Sequence, residues 1–301
     1  MSQLSEHGSL AISKTDVRRQ FERRAEMATA EFLYGEIAQR MLSRLNLIRL
    51  DPGWILDAGC GVGRRLTMLR ERYPNAQLVG LDHSPQLLEL AKTRQTRSWP
   101  QRLRALWSAK HRTKWVCADL SQTTLPAESF DLIWSNLAIH WHPEPHDVLR
   151  EWSRLLRPGA LAFFSSFGPA TAQELRTAVT QAGLDSATLP LVDMHDLGDL
   201  MIEYGFSDPV MDQETITLTY DDANKLLADA RALGGNPHPQ RRTTLTTPNW
   251  RAKLLEALAA NRGADGKLTL TLEIAYGHAW RSAIRRQAGE TRISVQSIKR
   301  R

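Results

Sequence analysis

The sequence predicts an α/β protein: an open, largely parallel sheet with helices on both faces. Three observations predict it. The apolar run Trp54-Ile55-Leu56 ends in Asp57, passes through Gly59, Gly61 and Gly63, and turns helical from Arg65 to Arg70, the pattern of a strand, a tight turn and a helix. Further apolar runs follow, and each stops at a polar residue: Gln77–Asp82, Trp115–Leu120 with Asp119, and Phe130–Asn136. Helical spacing returns between strands, as over Asp147–Leu156. Strands alternating with helices imply parallel crossover units.

A chain of 301 residues can bury a full core. Its net charge of +6 and pI near 9.5 favour an acidic partner. Aromatics are not interleaved with the basic runs and no nucleic-acid motif occurs, so nucleic acid is not that partner. No apolar run approaches the roughly 20 residues that span a bilayer, and residues 1–14 lack the apolar segment of a secretory signal, so the cytosol is the expected compartment. Two cysteines, Cys60 and Cys117, lie at no metal-ligand spacing. Cys117 is expected in an inner strand. No metal is expected, nor any oligomer beyond a monomer or weak dimer.

In chain order, Asp16 to Arg44 reads as one helix, with Phe21, Ala25, Ala28, Phe32, Ile37, Met41 and Leu45 on its apolar face and Arg18, Arg19, Arg23 and Arg24 in its first half. The glycine loop follows the first strand. Glycines at 59, 61 and 63 leave no Cβ in the way of a ligand, and the amides of the helix start point toward it. The spacing is neither the phosphate-cradling loop nor the dinucleotide fingerprint, whose third glycine falls one residue later. Asp82, at the tip of the second strand, can accept from two vicinal ribose hydroxyls, with His83 beside it. Lys92–Lys114 carries eight Lys or Arg residues and no acid. It reads as an exposed basic insertion. At the third strand tip, Asp119 is placed to accept from an adenine amine while the Leu120 amide donates to the ring. Asn136 closes the fourth strand, and Leu137-Ala138-Ile139-His140-Trp141 follow it. Ligands of open α/β sheets sit at the carboxyl ends of strands, so Asp57, Asp82, Asp119 and Asn136 form one constellation. Arg157-Pro158-Gly159 stops the next helix, and Ala160–Phe167 is a fifth strand.

The acid-x-Gly-x-Gly-x-Gly motif and the phrase Leu155-Leu156-Arg157-Pro158-Gly159-Ala160-Leu161 resemble the class I S-adenosylmethionine-dependent methyltransferases over about residues 55–167. Beyond that core, several phrases are similar to the malonyl-acyl-carrier-protein O-methyltransferases of biotin synthesis: Val17-Arg18-Arg19-Gln20-Phe21, Ser135-Asn136-Leu137-Ala138, Asp193-Met194-His195-Asp196-Leu197-Gly198-Asp199, Gly234-Gly235-Asn236 and Tyr276-Gly277-His278-Ala279-Trp280. This resemblance covers most of 16–280. It implies a Rossmann-like sheet of seven strands, the last two near 208–220 and 268–280, with a helical lid near 221–262. It divides the chain into an N-terminal lid helix region (1–50), a cofactor-binding core (51–167), a substrate and lid segment completing the sheet (168–280) and a basic tail (281–301). The sequence departs from the family by lacking a Tyr about two turns after Phe21, the nearest being Tyr34, and by its long basic stretch at 94–112.

The resemblance implies S-adenosyl-L-methionine as cofactor, held by Asp57, Gly59, Cys60, Gly61, Gly63, Asp82, His83, Asp119, Leu120 and Asn136. It implies methylation of the free carboxylate of a malonyl group on an acidic acyl carrier protein. Such a carboxylate is ionised near pH 7 and needs no general base. Moderate donors in a dry pocket suffice, and Asn136, His140 and Trp141 are the candidates, with His195 or a later arginine beside them. A quinone-type methyltransferase, a respiratory complex I assembly factor and a nicotinamide oxidoreductase are the rival readings, the last opposed by the glycine spacing.

Overall fold

The computed structural model describes residues 9–24, 28–97, 113–184, 187–241 and 247–283. Its centre is a seven-stranded sheet in the order β3-β2-β1-β4-β5-β7-β6. The strands are β1 (Trp54–Ala58), β2 (Gln77–Asp82), β3 (Lys114–Cys117), β4 (Phe130–Ser135), β5 (Leu156–Phe167), β6 (Phe206–Tyr220) and β7 (Leu268–Arg281). The first five run parallel, and β7 lies antiparallel between β5 and β6. This is the class I methyltransferase architecture, with its last two strands where the resemblance places them. β1 pairs with β2 on one side and β4 on the other, so the strand order reverses between β1 and β4 and opens a crevice at their carboxyl ends.

The described helices are α1 (Lys14–Arg24), α2 (Ala28–Leu45), α3 (Leu66–Arg72), α4 (Pro85–Arg97), α5 (Pro145–Leu155), α6 (Gln173–Gln181), α7 (Met194–Glu203), α8 (Ala223–Ala232) and α9 (Pro248–Ala260). α5 shows why they form: Pro145 occupies the first turn, where its missing N–H costs nothing, and Val148, Leu149, Trp152 and Leu155 bury one stripe. Trp152 then meets Phe164 of β5 at 5.9 Å between ring centroids.

In the N-terminal region, where one helix is expected over Asp16–Arg44, residues 14–24 and 28–45 are helical, and residues 25–27 lie outside the described residues. Phe32 is also not on the buried face, being 73% exposed. The buried stripe of α2 is Leu33, Ile37, Met41 and Leu45, a strict i+4 series, which turns Phe32 to the polar side with Glu36 and Arg40. That polar side ties α2 to the sheet, since Arg40 pairs with Glu214 and Arg44 with Asp212, both at 2.6 Å. β3 is an edge strand and Cys117 is exposed, where an inner position was expected. The strand is short because its partner β2 is matched only over Val79–Asp82. Most of the basic insertion, 98–112, and the tail from 284 lie outside the described residues. Helices α8 and α9 fall between β6 and β7, within 221–262.

Candidate active site

One pocket lies at the carboxyl ends of β1, β2, β3 and β4. It brings together Asp57, Gly59, Cys60, Gly61, Asp82, His83, Asp119, Leu120, Asn136 and Trp141, residues spread over 85 positions of sequence. α1 and α2 cover it with Lys14, Val17, Phe21, Glu31 and Tyr34.

The three glycines of the loop have three different reasons. All have positive φ, which L side chains adopt at a cost. Gly61 alone faces open space: no atom lies within 4 Å of where its Cβ would be. A Cβ on Gly59 would penetrate Ala138, and one on Gly63 would penetrate the Trp115 ring. Gly63 does not line the pocket. Its missing Cβ lets the loop pack onto Trp115 of β3 and Ala91 of α4.

The acids differ in environment. Asp57 is 1% exposed, and its Oδ2 is buried without a hydrogen-bond partner. Burial pushes its pKa up to about 7, with Arg65 pulling down and Asp82 pushing up. Burial also raises Asp82, whose carboxylate receives the Gly61 N–H on Oδ2 and the Ser84 N–H on Oδ1, both at 2.9 Å. Asp119 is the opposite case. Its partial burial raises the pKa, but Nε2 of His142 and Nζ of Lys14, each at 2.9 Å, and both donors of Ser121 outweigh this and hold the carboxyl well below the usual range. Cys60 is buried with its thiol pushed well above the ordinary value, so it is an inert lining group.

Asn136 is fixed at both ends of its amide. Nδ2 donates to the Tyr34 carbonyl at 3.0 Å, and Oδ1 accepts from the Ser165 hydroxyl at 3.1 Å. Leu137 follows with φ +51, an uncommon conformation for a branched side chain, and its N–H donates to Ser165 Oγ. This bend carries Ala138 onto Gly59.

Trp141 lines the pocket, packed edge-on to Phe21 at 5.3 Å, and its Nε1 is buried without a partner. His140 is not a lining residue. It lies behind Trp141 against Phe167, with Nδ1 accepting the Phe167 N–H at 3.3 Å. Burial lowers its pKa to about 3, so it is neutral. His195 does not line the pocket: its side chain is 78% exposed near the start of α7, bonded to the capping Asp193 at 2.7 Å.

Sequence reasoning missed His142, Glu31, Arg64 and Arg65, all pocket residues. The two arginines follow the third glycine directly, which was the available signal.

Comparison with known proteins agrees with this geometry. The family described as Methyltransferase domain matches residues 56–164. The malonyl-[acyl-carrier protein] O-methyltransferase of Laribacter hongkongensis is 41% identical over 276 residues, covering 90% of this chain and 91% of that protein. The chain belongs to the malonyl-[acyl-carrier protein] O-methyltransferase family. The family member of Gallionella capsiferriformans is 40% identical, with 91% of this chain and 93% of that one covered. Among solved structures, the YcgJ protein of Bacillus subtilis matches with a TM-score of 0.56 at 12% identity, over 80% of this chain and 97% of that one, a likeness of fold. The chain is thus a methyltransferase of this family. Among the described residues no helix is long and apolar enough to cross a membrane.

Proposed function

We propose that this methyltransferase binds S-adenosyl-L-methionine in the β1–β4 pocket and methylates the free carboxylate of a malonyl thioester carried by an acidic acyl carrier protein in the cytoplasm. The buried, unpartnered Oδ2 of Asp57 carries the cofactor half of this reading. A buried polar atom left unsatisfied costs free energy, and a ligand ammonium would supply the missing partner. Open space at Gly61 fits the same ligand. The names of the relatives carry the acceptor half.

In this reading Asp57 receives the ammonium and the Gly59–Gly61 turn, with Cys60, forms the floor. Asp82, already ordered by two amides, receives the ribose hydroxyls, with His83 at its side. Asp119 and the Leu120 amide take the adenine. Asp119 stays ionised because Lys14 pairs with it and because His142 Nε2 and Ser121 donate hydrogen bonds to it. When bound, the cofactor supplies a methyl group activated by sulfonium charge.

The chain's own residues then position the acceptor and exclude water. Trp141 Nε1 is a buried donor without a partner on a pocket-lining ring and is assigned to the acceptor carboxylate. Asn136 is a positioning residue, its amide joining the β4 tip to α2 and β5. His140, neutral and behind the wall, orients Trp141 rather than moving a proton. No residue is needed as a base, because the carboxylate is already ionised. A single strong ion pair to it would stabilise the ground state more than the charge-dispersed transition state.

The test is incubation with methyl-labelled S-adenosylmethionine and malonyl-carrier. Base-labile label on the carrier is the expected result. Cofactor binding without transfer would instead point to a role on a protein partner.

A further inference from the structure

Glu31, on α2, places one carboxylate on two guanidiniums: Oε1 pairs with Arg65 Nη2, and Oε2 lies 3.1 Å from Arg64 Nε. All three side chains line the pocket, and so does Asp57 with its unpartnered Oδ2. The same pocket thus holds a buried carboxylate oxygen lacking a cation and two arginines whose anion is supplied by the chain itself. Ammonium and carboxylate sites in one wall match the two ends of an α-amino acid. The carboxylate geometry of Glu31 is that of a ligand carboxylate gripped by arginine donors.

We infer that Glu31 occupies, in the free protein, the seat of the amino-acid carboxylate of the bound nucleoside ligand, and that Arg65 and Arg64 exchange Glu31 for that carboxylate on binding. Glu31 is therefore an internal competitor, and the affinity for the amino-acid end is set by the difference between two carboxylate–arginine pairs. This inference rests on the cofactor reading above. It adds the residues that recognise the carboxylate and the group that must leave.

The test is titration calorimetry on the full chain with S-adenosylhomocysteine and with 5′-methylthioadenosine, which shares the nucleoside and lacks the amino acid. Glu31→Gln is expected to tighten S-adenosylhomocysteine severalfold and leave methylthioadenosine within twofold. Arg65→Met is expected to weaken S-adenosylhomocysteine tenfold or more, again leaving methylthioadenosine within twofold. Methylthioadenosine binding also reports that each variant is folded. Equal changes for both ligands, or no change for S-adenosylhomocysteine in either variant, would overturn the exchange while leaving the cofactor reading intact. Wild-type protein that binds neither ligand would overturn both.

Discussion

Lys14 of α1 and Asp119 at the tip of β3 form an ion pair at 2.9 Å across the side of the pocket assigned to adenine. A second tie runs parallel to it, from the Ser84 hydroxyl to Glu22 of α1 at 2.7 Å. α1 is therefore pinned at two points near the β2 and β3 ends. Lys14→Met should raise the dissociation rate of S-adenosylhomocysteine severalfold in stopped-flow displacement. Both side chains of the pair are partly solvent-exposed, so global stability should change by only about 1 kcal/mol or less.

The raised carboxyl of Asp57 sets a pH dependence whose sign is opposite to that of an ordinary ion-paired acid. In the unfolded chain Asp57 loses its proton near pH 4, and in the folded chain near pH 7. Folding is disfavoured progressively between these values, and the cost is fully present above about pH 7. Asp57→Asn should therefore stabilise the ligand-free protein at pH 8, by on the order of 1–3 kcal/mol, and change little at pH 4. Urea unfolding at the two pH values measures this. The same variant should lose most of its affinity for S-adenosylhomocysteine, and wild-type affinity should rise with pH through about 7. Asp57→Asn protein no more stable than wild type at pH 8 would remove the assigned burial penalty.

The glycine loop separates fold from ligand. Gly59→Ala combines φ +81 with a Cβ inside Ala138 and should cost about 2 kcal/mol or more. Ala138→Gly in the same chain should recover the steric part only. Gly61→Ala, at φ +54 with open space around it, should cost about 1 kcal/mol of stability yet weaken the cofactor far more. Thermal melts with and without S-adenosylhomocysteine distinguish the two. A Gly61→Ala protein with unaltered ligand-induced stabilisation would show that the open space is not ligand space.

These contrasts explain what was legible in the sequence. Strand tips were legible because both faces of β1, β2 and β4 are covered, which writes each strand as an apolar run broken by one polar residue. Asp57, Asp82, Asp119 and Asn136 could therefore be read directly. The reasons for Gly59 and Gly63 were not legible, because their neighbours, Ala138 in the turn after β4 and Trp115 on β3, lie far off in sequence and only the fold brings them close. His140 and His195 fall outside the pocket lining for a related cause. Proximity along the chain to a strand tip or a familiar phrase says nothing about which side of a turn a ring takes. Phe32 misled because an approximate helical period tolerates a shift of one residue, whereas Leu33, Ile37, Met41 and Leu45 hold a stricter one.

The last expectation concerns the partner. Arg19 and Arg23 lie exposed on α1, whereas Lys14 is paired with Asp119 and Arg18 with Glu22, each at 2.9 Å. α1 thus presents uncompensated positive charge on the helix that covers the pocket. An acidic carrier would be steered to that helix, which places its acyl group near the opening. Steering of this kind changes encounter more than chemistry, and salt screens it. Arg19→Glu with Arg23→Glu should raise KM for malonyl-carrier on the order of tenfold at low salt, with kcat unaltered and the difference shrinking as salt is added. A short malonyl thioester, lacking the protein, should be methylated equally by both enzymes. Identical carrier kinetics at every salt concentration would move the docking surface off α1.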